Sequence, residues 1–117
     1  MLKNISFTFK GRRASVNAKK CDYFEKILGL MFKSKNNAEA LLFEFKKPVG
    51  FQIHSFFVFF PFVAIWLDEK NKVLDYRIVK PFSLHIAPQK PFRKLLEIPL
   101  NEKNMKISRF FVGKQKI

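Results

Sequence analysis

The stretch that decides the fold is Ile53-His54-Ser55-Phe56-Phe57-Val58-Phe59-Phe60-Pro61-Phe62-Val63-Ala64-Ile65-Trp66-Leu67. It lies in a longer run, Pro48 to Leu67, that contains no Asp, Glu, Lys or Arg. About 20 apolar residues would cross a bilayer as a helix. This run does not read as one. His54, Ser55 and Gln52 would be costly in lipid, Pro61 interrupts the densest part, and Phe, Val and Ile favour strands. The reading is two buried strands, Ile53 to Phe60 and Phe62 to Leu67, meeting at Pro61. The first is apolar on both faces, so it is expected in the middle of a sheet. Phe56, Phe57, Phe59, Phe60, Phe62 and Trp66 are then core residues, with Phe57 and Trp66 both largely buried. The competing role for the same rings is an aromatic pocket for a planar or apolar ligand.

Outward from this centre the pattern stays mostly β. Asp68 to Lys72 is a turn, and Val73 to Val79 pairs back with Leu74, Tyr76 and Ile78 inward. Upstream, Leu41 to Phe45 alternates, with Leu41, Phe43 and Phe45 on one side. At the start, Ile5, Phe7 and Phe9 alternate with Ser6 and Thr8. Gly11-Arg12 reads as a two-residue turn, and Arg13 to Ala18 returns with Ala14, Val16 and Ala18 on one face. Cys21 to Met31 changes period: Tyr23, Phe24, Ile27, Leu30 and Met31 form a helical stripe, and Asp22 with Glu25 suits a capping box. Leu95 to Pro99 reads as extended and Lys106 to Val112 as a last strand. The expected fold is mainly β: a compact sandwich or barrel of seven or eight short, mostly antiparallel strands, with one short helix near residues 21–31. At 117 residues it is a single domain, 1–117.

Composition narrows function by exclusion. The chain has 23 Lys+Arg against 9 Asp+Glu, a formal net charge of +14, and 16 Phe. Lys, Phe, Ile and Asn share A- and T-rich codons, so base composition accounts for part of this bias. The N-terminus shows no signal-peptide pattern, and one cysteine forms no internal disulfide, so a cytoplasmic protein is expected. No Gly-rich phosphate loop is present. His54 and His85 lie on separate segments and read as polar groups satisfied in or near the core; no metal and no cofactor is expected. Cys21 has no base placed beside it and is not expected to act as a nucleophile.

Several segments, in order, resemble the family called domain of unknown function 192, in the form of its archaeal members. They are Gly29-Leu30-Met31-Phe32, then Leu41-Leu42-Phe43-Glu44-Phe45, then Ile53 to Phe62 followed by Ile65-Trp66-Leu67-Asp68, then Val79-Lys80-Pro81-Phe82, and Leu95-Leu96-Glu97-Ile98-Pro99. Together they cover most of the chain from Val16 to Gly113. The resemblance implies a compact β fold with a short helix and marks Gly29, Leu30, Met31, Phe43, Phe45, His54, Phe57, Phe60, Pro61, Trp66, Pro81, Glu97 and Pro99 as motif positions, mostly structural. Glu97, between Leu96 and Ile98, is expected to face outward or along a rim. The family commonly carries Asp where this chain has Val63 and Lys114.

The function expected is binding without chemistry. Weak, sequence-independent nucleic-acid contact comes first, through Arg12, Arg13, Lys19, Lys20, Lys46, Lys47, Lys114 and Lys116. The alternative is a module for a small ligand or a protein partner using the aromatic segment. Peripheral membrane association through basic residues and exposed Phe is a third possibility, and no integral insertion is expected.

Overall fold

The computed structural model describes residues 2–21, 29–50 and 52–112. Six strands, β1 (Leu2–Phe9), β2 (Arg12–Lys20), β3 (Ala40–Val49), β4 (Phe62–Leu67), β5 (Val73–Val79) and β6 (Phe92–Pro99), form one sheet in the order β1-β2-β3-β6-β4-β5. Every neighbouring pair is antiparallel except β2 with β3. A 3-10 turn, Glu102–Asn104, leads into the helix α1 (Met105–Val112). The fold is mainly β, as expected, with the sheet curled into half a barrel.

The curl brings the two edge strands together. The Phe9 ring on β1 lies 5.2 Å from Tyr76 on β5. Asn71, in the β4–β5 turn, accepts a hydrogen bond at its carbonyl from the Thr8 amide at 3.0 Å, and its side-chain amide donates to the Ser6 carbonyl at 3.1 Å. Inside the curl, Ile5, Phe7, Val16, Ala18, Leu42, Val63, Ile65, Leu67, Leu96 and Ile98 form one core, closed by Ile107 and Phe111 of α1. The opposite face of the same sheet carries a second core: Leu41, Phe43, Phe62, Ala64, Trp66 and Leu95, covered by Leu30, Ala38, Val58, Phe60 and Ile86 from irregular segments. Burial of both faces explains why β4 is apolar throughout, without alternation.

Several expectations are corrected. The first hairpin turns on Lys10-Gly11, not Gly11-Arg12, because Phe9 pairs with Arg12. Both turn residues have positive φ, 51° and 76°, as a two-residue turn matched to strand twist requires. Leu74 does not point inward with Tyr76 and Ile78. A bulge between Trp66 and Leu67 leaves it unpaired and sends it to the other core. The expected last strand, Lys106 to Val112, is α1. Asn101 caps the preceding turn by accepting from the Asn104 amide at 3.1 Å, and Ile107, Phe110 and Phe111 have the three- and four-residue spacing of a helix face.

The largest correction is Ile53 to Phe60, which is not a strand. Both edges of β4 are occupied, by β5 and β6, so no central position is left for it. It runs as a loop with a single bridge, Ile53 to Ile86. Val58 and Phe60 turn into the second core, while Phe56, Phe57 and Phe59 face solvent. Phe57 has φ 57°, which no strand accommodates. Pro48 to Leu67 is thus the end of β3, this loop and β4. No helix among the described residues is long and apolar enough to cross a membrane. The helix expected near residues 21–31 falls largely on residues 22–28, outside the described residues.

Candidate functional site

Glu97 sits near the middle of the central strand β6, between Ala64 on β4 and Leu41 on β3. The strand alternation sends its side chain toward the second core, where irregular segments close over it. It is 7% exposed. Burial pushes its carboxyl up to about 8, and no charged neighbour acts against that rise. Among the described residues no hydrogen bond or ion pair reaches it. The expectation that Glu97 faces outward or along a rim is corrected: β6 is covered on both faces, so it has no outward side.

Two further motif positions converge here. Trp66 lies one pair along from Ala64 on the same sheet face, diagonal to Glu97. It is fully buried, and its indole Nε1–H has no acceptor among the described residues. Gly29 lies above the carboxyl. A Cβ there would stand 3.3 Å from Glu97 Oε1, and its φ of 54° already favours glycine. Two segments distant in sequence thus bring a bare backbone and a carboxyl together, and Trp66 lies on the same sheet face; neither the carboxyl nor the indole N–H has a hydrogen-bond partner among the described residues. Buried polar groups are nearly always satisfied, and each exception calls for a cause.

The family profile of domain of unknown function 192, described as an uncharacterized ACR, matches residues 6–108. The chain belongs to this family. Two archaeal relatives, both UPF0127 proteins, are 29% identical to it. PH1112 of Pyrococcus horikoshii aligns over 83% of this chain and 78% of its own length. TK1120 of Thermococcus kodakarensis aligns over 78% of this chain and 59% of its own length, so the chain spans less than two-thirds of that relative. Two solved structures share the fold. A protein of unknown function from Novosphingobium aromaticivorans has a TM-score of 0.72 at 16% identity, covering 92% of this chain and 79% of the other. A protein from Sinorhizobium meliloti described as a candidate transcription regulator has a TM-score of 0.71 at 15% identity, covering 92% and 85%.

The other motif positions of this family member are mainly packing. Leu30, Phe43, Phe60 and Pro99 are buried, Met31 and Phe45 pack against the second core, and Pro61 and Pro81 are half-buried. Val63, where the family commonly has Asp, is fully buried between Ile78 and Ile98 in the enclosed core. His54 and His85 are exposed, not in the core: His54 Nδ1 accepts from the Phe56 amide at 3.2 Å, and His85 Nδ1 lies 3.0 Å from Gln52 Oε1. Phe57, expected in the core, is 47% exposed. Cys21 is buried in the second core. Among the described residues no group of three or more His, Cys, Asp or Glu is placed to hold a metal.

The expected basic contacts do not converge on one surface. Strands β2 and β3 are parallel, with Ala18 beside Ala40. Arg12 and Arg13 therefore lie several residues before that level and Lys46 and Lys47 as far beyond it. At about 3.3 Å per residue this places the two pairs at opposite ends of the molecule. Lys20 is 3.7 Å from Glu44, which Lys3 also contacts at 3.3 Å. Lys19 is half-buried in β2. Lys114 and Lys116 lie outside the described residues. One grouping that strand-by-strand reading missed is a shallow concavity of about 670 Å³ lined by Arg12, Met105, Lys106, Arg109 and Phe110. The Arg12 guanidinium sits 4.9 Å from the Phe110 ring centre there. It was hidden because Lys106 and Arg109 had been assigned to a strand.

Proposed function

We propose that the protein is a small-ligand-binding domain whose recognition centre is the Glu97 carboxyl. The observation that carries this reading is Glu97 itself, a carboxyl 7% exposed with no partner among the described residues. Leaving a buried polar group unsatisfied costs about 1–3 kcal/mol, which an apolar residue would avoid. A ligand that supplies the missing hydrogen bonds offsets that cost. With its carboxyl at about 8, Glu97 carries its proton at neutral pH. It then offers an O–H donor and a carbonyl acceptor side by side. The complement is a compact molecule with a carboxyl, carboxamide or cyclic-amide edge. Among the described residues no second titratable side chain is hydrogen-bonded to Glu97, which favours recognition over catalysis.

Trp66 is the chain's one tryptophan, so its indole N–H gives one isolated NMR signal. Titrating small carboxylates, primary amides and nucleobases should displace that signal for at least one class. Glu97→Leu should abolish the displacement. A signal unmoved by the whole panel, or moved equally in the variant, rejects the reading.

A second reading is weak, sequence-independent nucleic-acid contact. Its support is the Arg12–Lys106–Arg109 concavity, where cations from a hairpin and a helix meet. Random-sequence duplex DNA should then bind at low salt, and the affinity should fall with a log–log salt slope near −0.9 per phosphate neutralised. Arg109→Glu with Lys106→Glu should flatten that slope. An unchanged slope removes this reading and leaves the first intact.

A further inference from the structure

Three irregular segments, 29–39, 52–61 and 80–91, lie over the second core and carry a cluster of exposed apolar side chains. Phe32 is 66% exposed, Phe59 59%, Phe82 50%, Leu84 50%, Phe57 47% and Phe56 41%. The rings pair across segments. Phe32 stacks on Phe57 at 5.0 Å and 20°, and Phe59 meets Phe82 edge-on at 5.5 Å. Together they expose on the order of 500–600 Å² of apolar surface, taking about 200 Å² per ring. That is at the upper end of the largest patch on an ordinary monomer, and patches of this size are commonly functional.

The cluster is held outward by its backbone. Phe32, Phe57 and Phe82 have φ of 62°, 57° and 59°. Bulky residues seldom occupy the left-handed region, and they remain there only when the surroundings impose it. Ser55, fully buried, supplies that constraint. Its hydroxyl donates to the Lys80 carbonyl and accepts from the Ser83 amide, both at 2.6 Å. Its carbonyl accepts from the Phe82 amide at 3.0 Å, and the Phe57 carbonyl accepts from the Phe32 amide at 2.9 Å. The three segments are therefore tied to one another beneath the rings.

Charge indicates what covers the patch. Residues 29–39, 52–61 and 80–91 contain one acidic residue, the half-buried Glu39, against Lys33, Lys35, Lys80 and Lys90, all exposed. Lys33 adjoins Phe32, and Lys80 lies two residues before Phe82. We propose that this face docks on an anionic lipid surface, the Phe32, Phe57, Phe59 and Phe82 rings entering the acyl boundary while the flanking lysines meet headgroup phosphates. Two alternatives fit less well. Successive bases stack on separate ring faces, whereas these rings are turned against one another in pairs, Phe32 on Phe57 and Phe59 against Phe82. A second copy would bring another basic face against this one, and the apolar area falls below the roughly 800 Å² per partner of a stable protein interface. The proposal is independent of Glu97.

The test is co-sedimentation of the full chain with vesicles of phosphatidylcholine containing about one-third phosphatidylglycerol, at about 150 mM salt, where charge alone is weakened. The wild type should bind these at least ten-fold more tightly than pure phosphatidylcholine vesicles. Phe32→Ser with Phe59→Ser should lose ten-fold or more with an unchanged melting temperature, since both side chains are exposed. Lys33→Glu with Lys80→Glu should lose affinity for the anionic vesicles, and Arg12→Glu, on the α1 side of the sheet, should lose far less. Retention of full binding by the Phe variant would reduce the effect to bulk charge and overturn the proposal. So would absence of wild-type binding. A single-stranded oligonucleotide bound by the wild type and lost in the Phe variant would make the patch a stacking platform and overturn it equally.

Discussion

The two faces of the one sheet are built to different standards. The enclosed face is apolar throughout and regular, closed by a helix whose Phe111 stacks on Phe7 at 5.7 Å. The other face is covered by irregular segments and includes a buried carboxyl, an indole N–H without a partner among the described residues, and bulky residues with positive φ. Both faces bury large side chains, so both contribute to stability. Only the second holds polar groups and strain that cost stability in isolation. In a domain of marginal net stability such costs persist where something other than folding requires them. The enclosed face is the support, and the covered face is the working side.

The contrast is sharpest in core truncation. Phe7→Ala on the enclosed face should cost about 3–5 kcal/mol in urea unfolding. Trp66→Ala should cost as much, because its rings are equally buried whatever its N–H does. A loss below about 1 kcal/mol for Phe7→Ala would break the comparison at its firmest point.

Next in size is a pH effect confined to the covered face. The Glu97 carboxyl lies at about 8 when folded, against 4.5 ordinarily, because burial disfavours its charge. The folded state therefore binds the extra proton between those values. Its contribution to stability is complete below about 4.5 and is lost as pH rises through about 8, at up to about 1.4 kcal/mol per unit. Glu97→Gln should remove that component. Stability curves for wild type and variant that run parallel from pH 5 to 8 would show Glu97 to be ionised and solvated.

Smaller still is a pair of glycines. Gly11 and Gly29 both have positive φ, so Ala at either should cost about 1 kcal/mol through backbone strain. Around Gly11 an added Cβ meets nothing within 4 Å, whereas at Gly29 it approaches Glu97 Oε1 at 3.3 Å. Gly29→Ala should thus cost more than Gly11→Ala and alter the Glu97 titration, which Gly11→Ala leaves alone. Smallest is Phe57→Ala, expected within about 1 kcal/mol because the ring is half-exposed.

How far the fold could be read in advance follows the same division. Strands of the enclosed core announce themselves: Ile5 and Phe7 alternate with polar residues, as do Val16 and Ala18, and β4 is unbroken apolar sequence between turn signals. The covered face was harder to read. In a chain with 16 Phe, a phenylalanine no longer signals burial, so Phe56, Phe57 and Phe59 looked like the centre of a sheet. Their outward placement depends on Ser55 hydrogen bonds to residues 80–83, distant in sequence. The helix α1 is not legible because Asn101, the cap of the turn that leads into it, is an ordinary loop residue by composition. Glu97 was visible as a motif position, but its burial depends on a cover from residues 29–39 that no local pattern reveals.

Asn71 does more than join two strands. An open sheet ends in rows of unclaimed amides and carbonyls, a template for unwanted stacking between molecules. Here the outer edge of β1 is met by the β4–β5 turn: Thr8 and Ser6 give their backbone groups to Asn71, and Lys94 Nζ donates to its side-chain oxygen at 2.5 Å. Asn at φ 62° is among the few residues suited to that bend. The fold thereby limits its own capacity to polymerise. A sequence rich in phenylalanine can present an adhesive surface on one side without exposing a second, fibre-forming one along its rim.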